Sequence, residues 1–137
     1  MRSIRLIQAS RVSQELVSEF LQNNQQIEIG SILKLGYLVE INNKISGCFI
    51  LDEIEDGLYW LKQLYITKTE AIKIPALVEA ILVLARQQNA VKVYVNSHKL
   101  MIDIILESLQ FHPQEDSKFL ERYYVSEGKW WVYNVSG

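Results

Sequence analysis

Cysteine is almost absent from this sequence. Cys48 stands alone among 137 residues, so no internal disulfide can form. The N-terminus also lacks a charged-then-apolar leader, and together these features make the cytoplasm the expected compartment. Histidine is nearly as scarce. His98 and His112, taken with the one thiol, show no ligand spacing, and no metal is expected. No surplus of positive charge exists either: 14 basic and 16 acidic residues are interspersed for a net charge of −2. That balance supplies no broad field for a phosphate backbone and argues against nucleic acid as a partner. Apolar runs stop well short of the roughly 20 residues that cross a bilayer. Even Ala76 to Ala85 is interrupted by Glu79, so no membrane partner is expected. Internal repeats and low-complexity segments are missing too.

What is present is enough apolar material, 49% of the chain, for one core and one compact domain over residues 1–137. Ser3 to Gln8 alternates Ile4 and Leu6 against Arg5, the period of a short strand. A helical face follows in Leu16, Val17, Phe20 and Leu21, with Ser10 or Ser13 to cap it and Asn23-Asn24 to stop it. Residues 25–36 fit neither period and read as loop with a short helix. Tyr37 to Ile41 and Ile45 to Leu51 are β-rich runs around Asn42-Asn43-Lys44, which tolerates the positive φ of a tight hairpin turn. Glu55-Asp56-Gly57 repeats the turn chemistry and returns the chain into Leu58 to Ile66. Residues 37–66 therefore read as a three-stranded antiparallel meander.

The last strand of that meander also opens a crossover. From Pro75 the spacing of Leu77, Ala80, Ile81, Leu84 and Ala85 predicts an amphipathic helix, with Glu79, Arg86 and Gln87 toward water. Proline should push Ile74 out of helical geometry, so the helix is expected to begin after it. Val91 to Val95 is a short strand, Asn96-Ser97 a cap, and Leu100, Met101, Ile104, Ile105 and Leu109 the buried face of another helix ending before His112-Pro113. Glu121 to Val125 and Trp130 to Val135 flank a turn and read as a terminal hairpin. Strand, helix, strand implies a right-handed parallel unit. Ligands of such units collect where the chain leaves the strand for the helix, around Leu64 to Pro75.

This order of elements resembles the GNAT superfamily of acyl-CoA-dependent N-acyltransferases, with residues 37–111 carrying the likeness. Gln63 to Ile66 is similar to the family's acyl-CoA strand, Leu77 to Ala85 to its crossover helix, and Ile105 to Phe111 to its "Y-x-K-L-G-F" helix end. The resemblance implies an α/β (α+β) mixed sheet: an antiparallel meander, a parallel β-α-β crossover and a C-terminal hairpin. It also implies acetyl-CoA or another acyl-CoA as cofactor. Backbone groups of Leu64, Tyr65 and Ile66 would pair with its pantetheine arm, Lys73 would face its phosphates, and Asn96 stands where the family commonly has an asparagine. Glu40 and Glu53, with Glu55 beside them, are carboxylates able to deprotonate an amine acceptor, whether a small molecule or a peptide.

The chain departs from the family pattern at the pyrophosphate loop. Residues 69–75 contain no glycine, whereas glycines normally let backbone N–H groups close on phosphate. Leu106 stands at the place of the frequent general-acid tyrosine, and Gln110 replaces the glycine before Phe111. Two readings therefore stay open: an N-acyltransferase, or a GNAT-fold binding or regulatory domain that has lost acyl-CoA. Remaining candidates have plain structural readings beside the functional ones. Cys48 reads as a small buried hydrophobe, Lys68 and Lys73 as solvated loop lysines or phosphate ligands, and His98 and His112 as helix-end residues. Tyr123, Tyr124, Trp130, Trp131 and Tyr133 serve the core or form a homodimer interface on the terminal hairpin.

Overall fold

The structure is a computed structural model and describes residues 4–22 and 29–135. Ser3, the Asn23-Asn24 stop and residues 25–28 lie outside them. The strands are β1 (Ile4–Gln8), β2 (Gly36–Ile41), β3 (Lys44–Glu55), β4 (Leu58–Ile66), β5 (Lys92–Ser97), β6 (His112–Pro113) and β7 (Lys129–Asn134). The α-helices are α1 (Gln14–Gln22), α2 (Ile29–Leu35), α3 (Ile74–Gln87), α4 (Leu100–Ser108) and α5 (Ser117–Arg122). The sheet is mixed, in the order β1-β2-β3-β4-β5-β7-β6, with β4 and β5 parallel and the other neighbours antiparallel. No helix among the described residues is long and apolar enough to cross a membrane. The chain divides into two compact units, residues 1–52 with 61–81 and residues 53–60 with 82–137.

In the first unit, β1 pairs with β2 through Leu6↔Val39, and β2 with β3 through Tyr37↔Phe49. The β2–β3 turn is the predicted one, with Asn42 and Asn43 at φ 52° and 68°, as a two-residue hairpin requires. Leu38, Cys48 and Ile50 meet Val17, Phe20 and Ile32 in one core. Tyr37 and Phe49 stack elsewhere at 5.1 Å between ring centroids. Leu16, expected on the buried face of α1, is exposed. Residues 29–35, legible only as loop with a short helix, form α2.

The connection after β4 also differs from expectation. Residues 68–73 coil into a 3-10 helix that runs straight into α3, and Ile74 is helical at φ −54°, ψ −45°. Its N–H bonds to the Ala71 carbonyl, which offsets the disfavoured conformation before a proline. The buried face of α3 matches the predicted periodicity at Leu77, Ile81 and Ala85, while Ala80 and Leu84 are only half-buried.

In the second unit, Gly57 O accepts hydrogen bonds from the N–H groups of Val91 (2.7 Å) and Lys92 (3.2 Å), which fixes the entry of β5. β5 then pairs with β7 through Val93↔Tyr133 and Val95↔Trp131, and β7 with β6 through Pro113↔Trp131. Tyr94, Phe119 and Trp130 form the core, with Phe119 stacked on Tyr94 at 4.1 Å. A terminal antiparallel pair does form, but from residues other than those expected. Its first strand is His112–Pro113, and Ser117–Arg122 is a helix. Asp116 caps that helix by accepting from Lys118 N at 3.0 Å, and Phe119 packs against Tyr123 one turn on, which outweighs the β-propensity of Tyr123 to Val125. Trp130 and Trp131 are both buried, while Tyr124 is exposed.

Two further corrections concern α4. Asn96 and Ser97 belong to β5; the N-cap is Lys99, which makes no side-chain capping bond. The helix buries Leu106 and is tied to β7 by Trp131 Nε1, which donates to Asp103 Oδ1 at 2.8 Å. Leu100, Met101 and Ile104, expected inside, therefore face outward.

Candidate functional site

The end of β4 carries a backbone feature with no sequence signature. Gln63 lies at φ 53° within the strand, in the left-handed region that a non-glycine residue seldom adopts. Beyond it Leu64, Tyr65 and Ile66 are half-buried. Here β3 lies unusually close: a Cβ at Gly47 would clash with the Tyr65 carbonyl oxygen and sit 3.3 Å from Ile66 Cα. Thr67 N donates to Ser46 O at 2.8 Å and ties down the strand's last turn. Tyr65 also meets Phe20 edge-on at 6.2 Å.

The corner after β4 presents few free anion-binding groups. Lys73 Nζ is paired with Glu70 Oε1 at 2.8 Å, and both side chains are largely buried. Glu70 N–H is spent on Thr67 O at 2.9 Å and Ile74 N–H on Ala71 O, and Pro75 has no N–H. Lys68 is exposed, and Ile72 points outward at 87% exposure. Ile72 therefore does not fill the corner.

Of the candidate carboxylates, Glu40 belongs to the first unit, on β2, where it pairs with Arg5 at 2.9 Å. Glu53, in the second unit, is exposed and accepts from Gly57 N at 3.2 Å, bracing the β3–β4 turn. Glu55 accepts from the Tyr123 hydroxyl at 2.6 Å and from Arg122 at 3.0 Å. First the tyrosine and then the arginine hold its carboxyl below the usual value of 4.5. The same bond, seen from the phenol, pushes Tyr123 up. Tyr94 is pushed up chiefly by burial, then by the charges of Asp116 and Glu55. This hydroxyl–carboxylate group joins residues far apart in sequence, so no local motif announces it.

Asn96 shows the one polar group among the described residues that is buried and unpartnered: neither Oδ1 nor Nδ2 has a hydrogen bond. Gly128, at φ +90°, makes room for it, because a Cβ there would clash with Asn96 Oδ1 and approach Ser97 O to 2.9 Å. Such an orphaned amide costs roughly 1–3 kcal/mol unless something binds it. Leu106, at the tyrosine position of the resemblance, is buried and has no proton to give. A cavity of about 420 Å³ in the same unit is lined by Gln114, Glu115, Leu120, Tyr124, Lys129 and Trp130, among others. Cys48 is a free, buried thiol pushed up to about 12 by desolvation, which removes it as a nucleophile. No metal-binding cluster occurs among the described residues.

A mixed sheet with an antiparallel meander, a parallel crossover through α3 and a terminal antiparallel pair is the fold of the GNAT acetyltransferases, and solved structures match it along nearly the whole chain. An acetyltransferase of the GNAT family from Staphylococcus aureus MU50 has a TM-score of 0.71 at 16% identity over 97% of this chain and 99% of its own. Tetrahymena GCN5 has a TM-score of 0.69 at 11% identity, over 97% and 96%. N-acetylglutamate synthase from Neisseria gonorrhoeae, complexed with coenzyme A and N-acetyl-glutamate, has a TM-score of 0.68 at 12% identity; all of this chain covers 36% of that one. No family model and no curated protein matches the sequence.

Proposed function

We propose that this chain is an acyl-CoA-dependent N-acyltransferase acting on a small-molecule or peptide amine in the cytoplasm, folded as one domain. The observation that carries the reading is the left-handed backbone of Gln63. It reverses the chain's local geometry just ahead of Leu64–Ile66, the end of the strand where main-chain groups would meet a ligand amide and a developing oxyanion. The unpartnered amide of Asn96 is a second fit to such a cofactor, offering one donor and one acceptor to a pantetheine-like amide. The bound acyl-CoA would supply an activated thioester for attack by the amine.

This chain's own residues would do the rest. The N–H groups of Leu64–Ile66 orient the acyl group, and Lys73, released from Glu70, meets phosphate. A carboxylate, Glu53 by its exposure or Glu40, takes the amine's proton directly or through water.

A second reading is favoured by the corner after β4. The Lys73–Glu70 pair, the spent Ile74 N–H and Pro75 describe a phosphate site with its donors withdrawn, as in a GNAT-fold domain that binds no acyl-CoA.

One titration separates the two. Acetyl-CoA at about 100 times its Kd should stabilise the folded chain by about 2.7 kcal/mol. Asn96→Leu should leave the unliganded chain as stable or more stable while reducing that gain. An unchanged melting temperature at millimolar acetyl-CoA removes the enzyme reading.

A further inference from the structure

The ladder between β5 and β7 ends with Asn96 opposite Trp130 and Ser97 opposite Lys129. Gly128 is the first residue beyond that pairing, and it packs against the end of β5: a Cβ on it would clash with Asn96 Oδ1, lie 2.9 Å from Ser97 O and come to 3.0 Å from His98 Cε1. Its φ of +90° is one that side chains rarely adopt. A hydrogen on the Gly128 Cα is therefore what meets the Asn96 oxygen. It gives no hydrogen bond, and that oxygen accepts none.

The cover over the amide is thin. Gly128 is exposed and lines the cavity of about 420 Å³ beside Trp130, whereas Asn96 Oδ1 and Nδ2 are buried without a partner. Buried amides are nearly always bonded, and an unbonded one costs the unliganded chain stability. The strand beneath is held firmly. Tyr94, two residues before Asn96 on the same face, stacks on Phe119 at 4.1 Å, and Trp130, its cross-strand partner, meets the same ring edge-on at 5.0 Å. What stays adjustable is the torsion of the amide itself, and the Gly128 contact limits it. A side chain at 128 would turn the amide aside; glycine holds it by contact and leaves its donor and acceptor open.

We propose that Gly128 is a positioning residue for cofactor binding: by meeting Asn96 Oδ1 with hydrogen alone, it keeps that amide in place and unspent for an amide of the cofactor arm. The role rests on the acyl-CoA reading above. Calorimetric titration with acetyl-CoA compares the full-length parent, Gly128→Ala, Asn96→Ala and the double variant. Affinity should fall about tenfold in each single variant, the worth of the lost bonds. The double variant should also lose about tenfold and not about a hundredfold, because the alanine at 128 acts through an amide that is no longer there. In ligand-free protein, Gly128→Ala should shift the Asn96 side-chain NH2 signals in proton–nitrogen NMR spectra. Asparagine accepts positive φ more readily than alanine, as Asn42 and Asn43 do in this chain, yet carries the same Cβ. Gly128→Asn should therefore lose affinity in the same way, and it decides the matter if the alanine variant does not fold. A parent that binds acetyl-CoA while Gly128→Ala and Gly128→Asn bind equally well overturns this role alone. Additive losses in the double variant, or unmoved Asn96 signals, reduce Gly128 to a turn residue and overturn it as well. A parent that binds no acetyl-CoA overturns the acyl-CoA reading and this role with it.

Discussion

Gly47→Ala tests the β3–β4 approach directly. The added methyl would clash with the Tyr65 carbonyl oxygen and lie 3.3 Å from Ile66 Cα, and both obstacles are backbone. No side chain can swing aside to make room. Overpacking of this kind costs about 1–3 kcal/mol, while alanine recovers about 0.4–1 kcal/mol by narrowing the unfolded ensemble. The net loss is about 1–2 kcal/mol, and at about 3–4 °C per kcal/mol for a chain of this size the melting temperature should fall by about 3–8 °C. Gly30→Ala is the matched control. It lies in α2 with nothing within 4 Å of an added Cβ, so the same chemical change should raise the melting temperature by about 2–3 °C. Calorimetric scans of the two variants beside the parent protein decide the matter. Equal or greater stability of Gly47→Ala would refute the close approach, and shifts of the same sign would refute the assignment of the difference to packing.

Acid should selectively weaken the tie between α5 and the β3 end. Because Glu55 is held below 4.5 by Tyr123 and Arg122, its contribution is present above the unfolded value and lost as pH falls through the folded one. Urea unfolding should therefore show Glu55→Gln less stable than the parent at neutral pH, with the gap closing as pH falls below the unfolded value of 4.5; a gap that stays constant in acid contradicts this. Cys48, pushed up to about 12, should remain silent to a thiol-specific disulfide reagent at pH 8 in the native protein and react at once in denaturant. Prompt labelling of the folded chain would show that the thiol is not enclosed.

Legibility from the sequence followed the range of the interaction involved. Asn42-Asn43 announces its hairpin because the turn needs positive φ at those positions and asparagine tolerates it. Helix α3 announces itself because its charges are confined to one side. Helix α4 does not: apolar residues surround it, so periodicity alone could not say that Leu106 faces in and Ile104 out. The decision is made by the Asp103–Trp131 bond, across 28 positions. Tyr123 to Val125 misled for a related reason, since their strand-forming character yields to the Asp116 cap and the Phe119 stack. At the candidate site, the position of β4 was legible but the reversal at Gln63 was not, because glutamine carries no preference for that backbone region. The loss of Asn96 to an unpartnered burial, likewise, depends on Gly128 lying opposite it.

The sheet stops at β6, a strand only two residues long whose second member, Pro113, has no N–H to offer. A neighbouring molecule that tried to extend the ladder there would find no template to copy. Open-ended stacking of copies through this edge is thereby disfavoured.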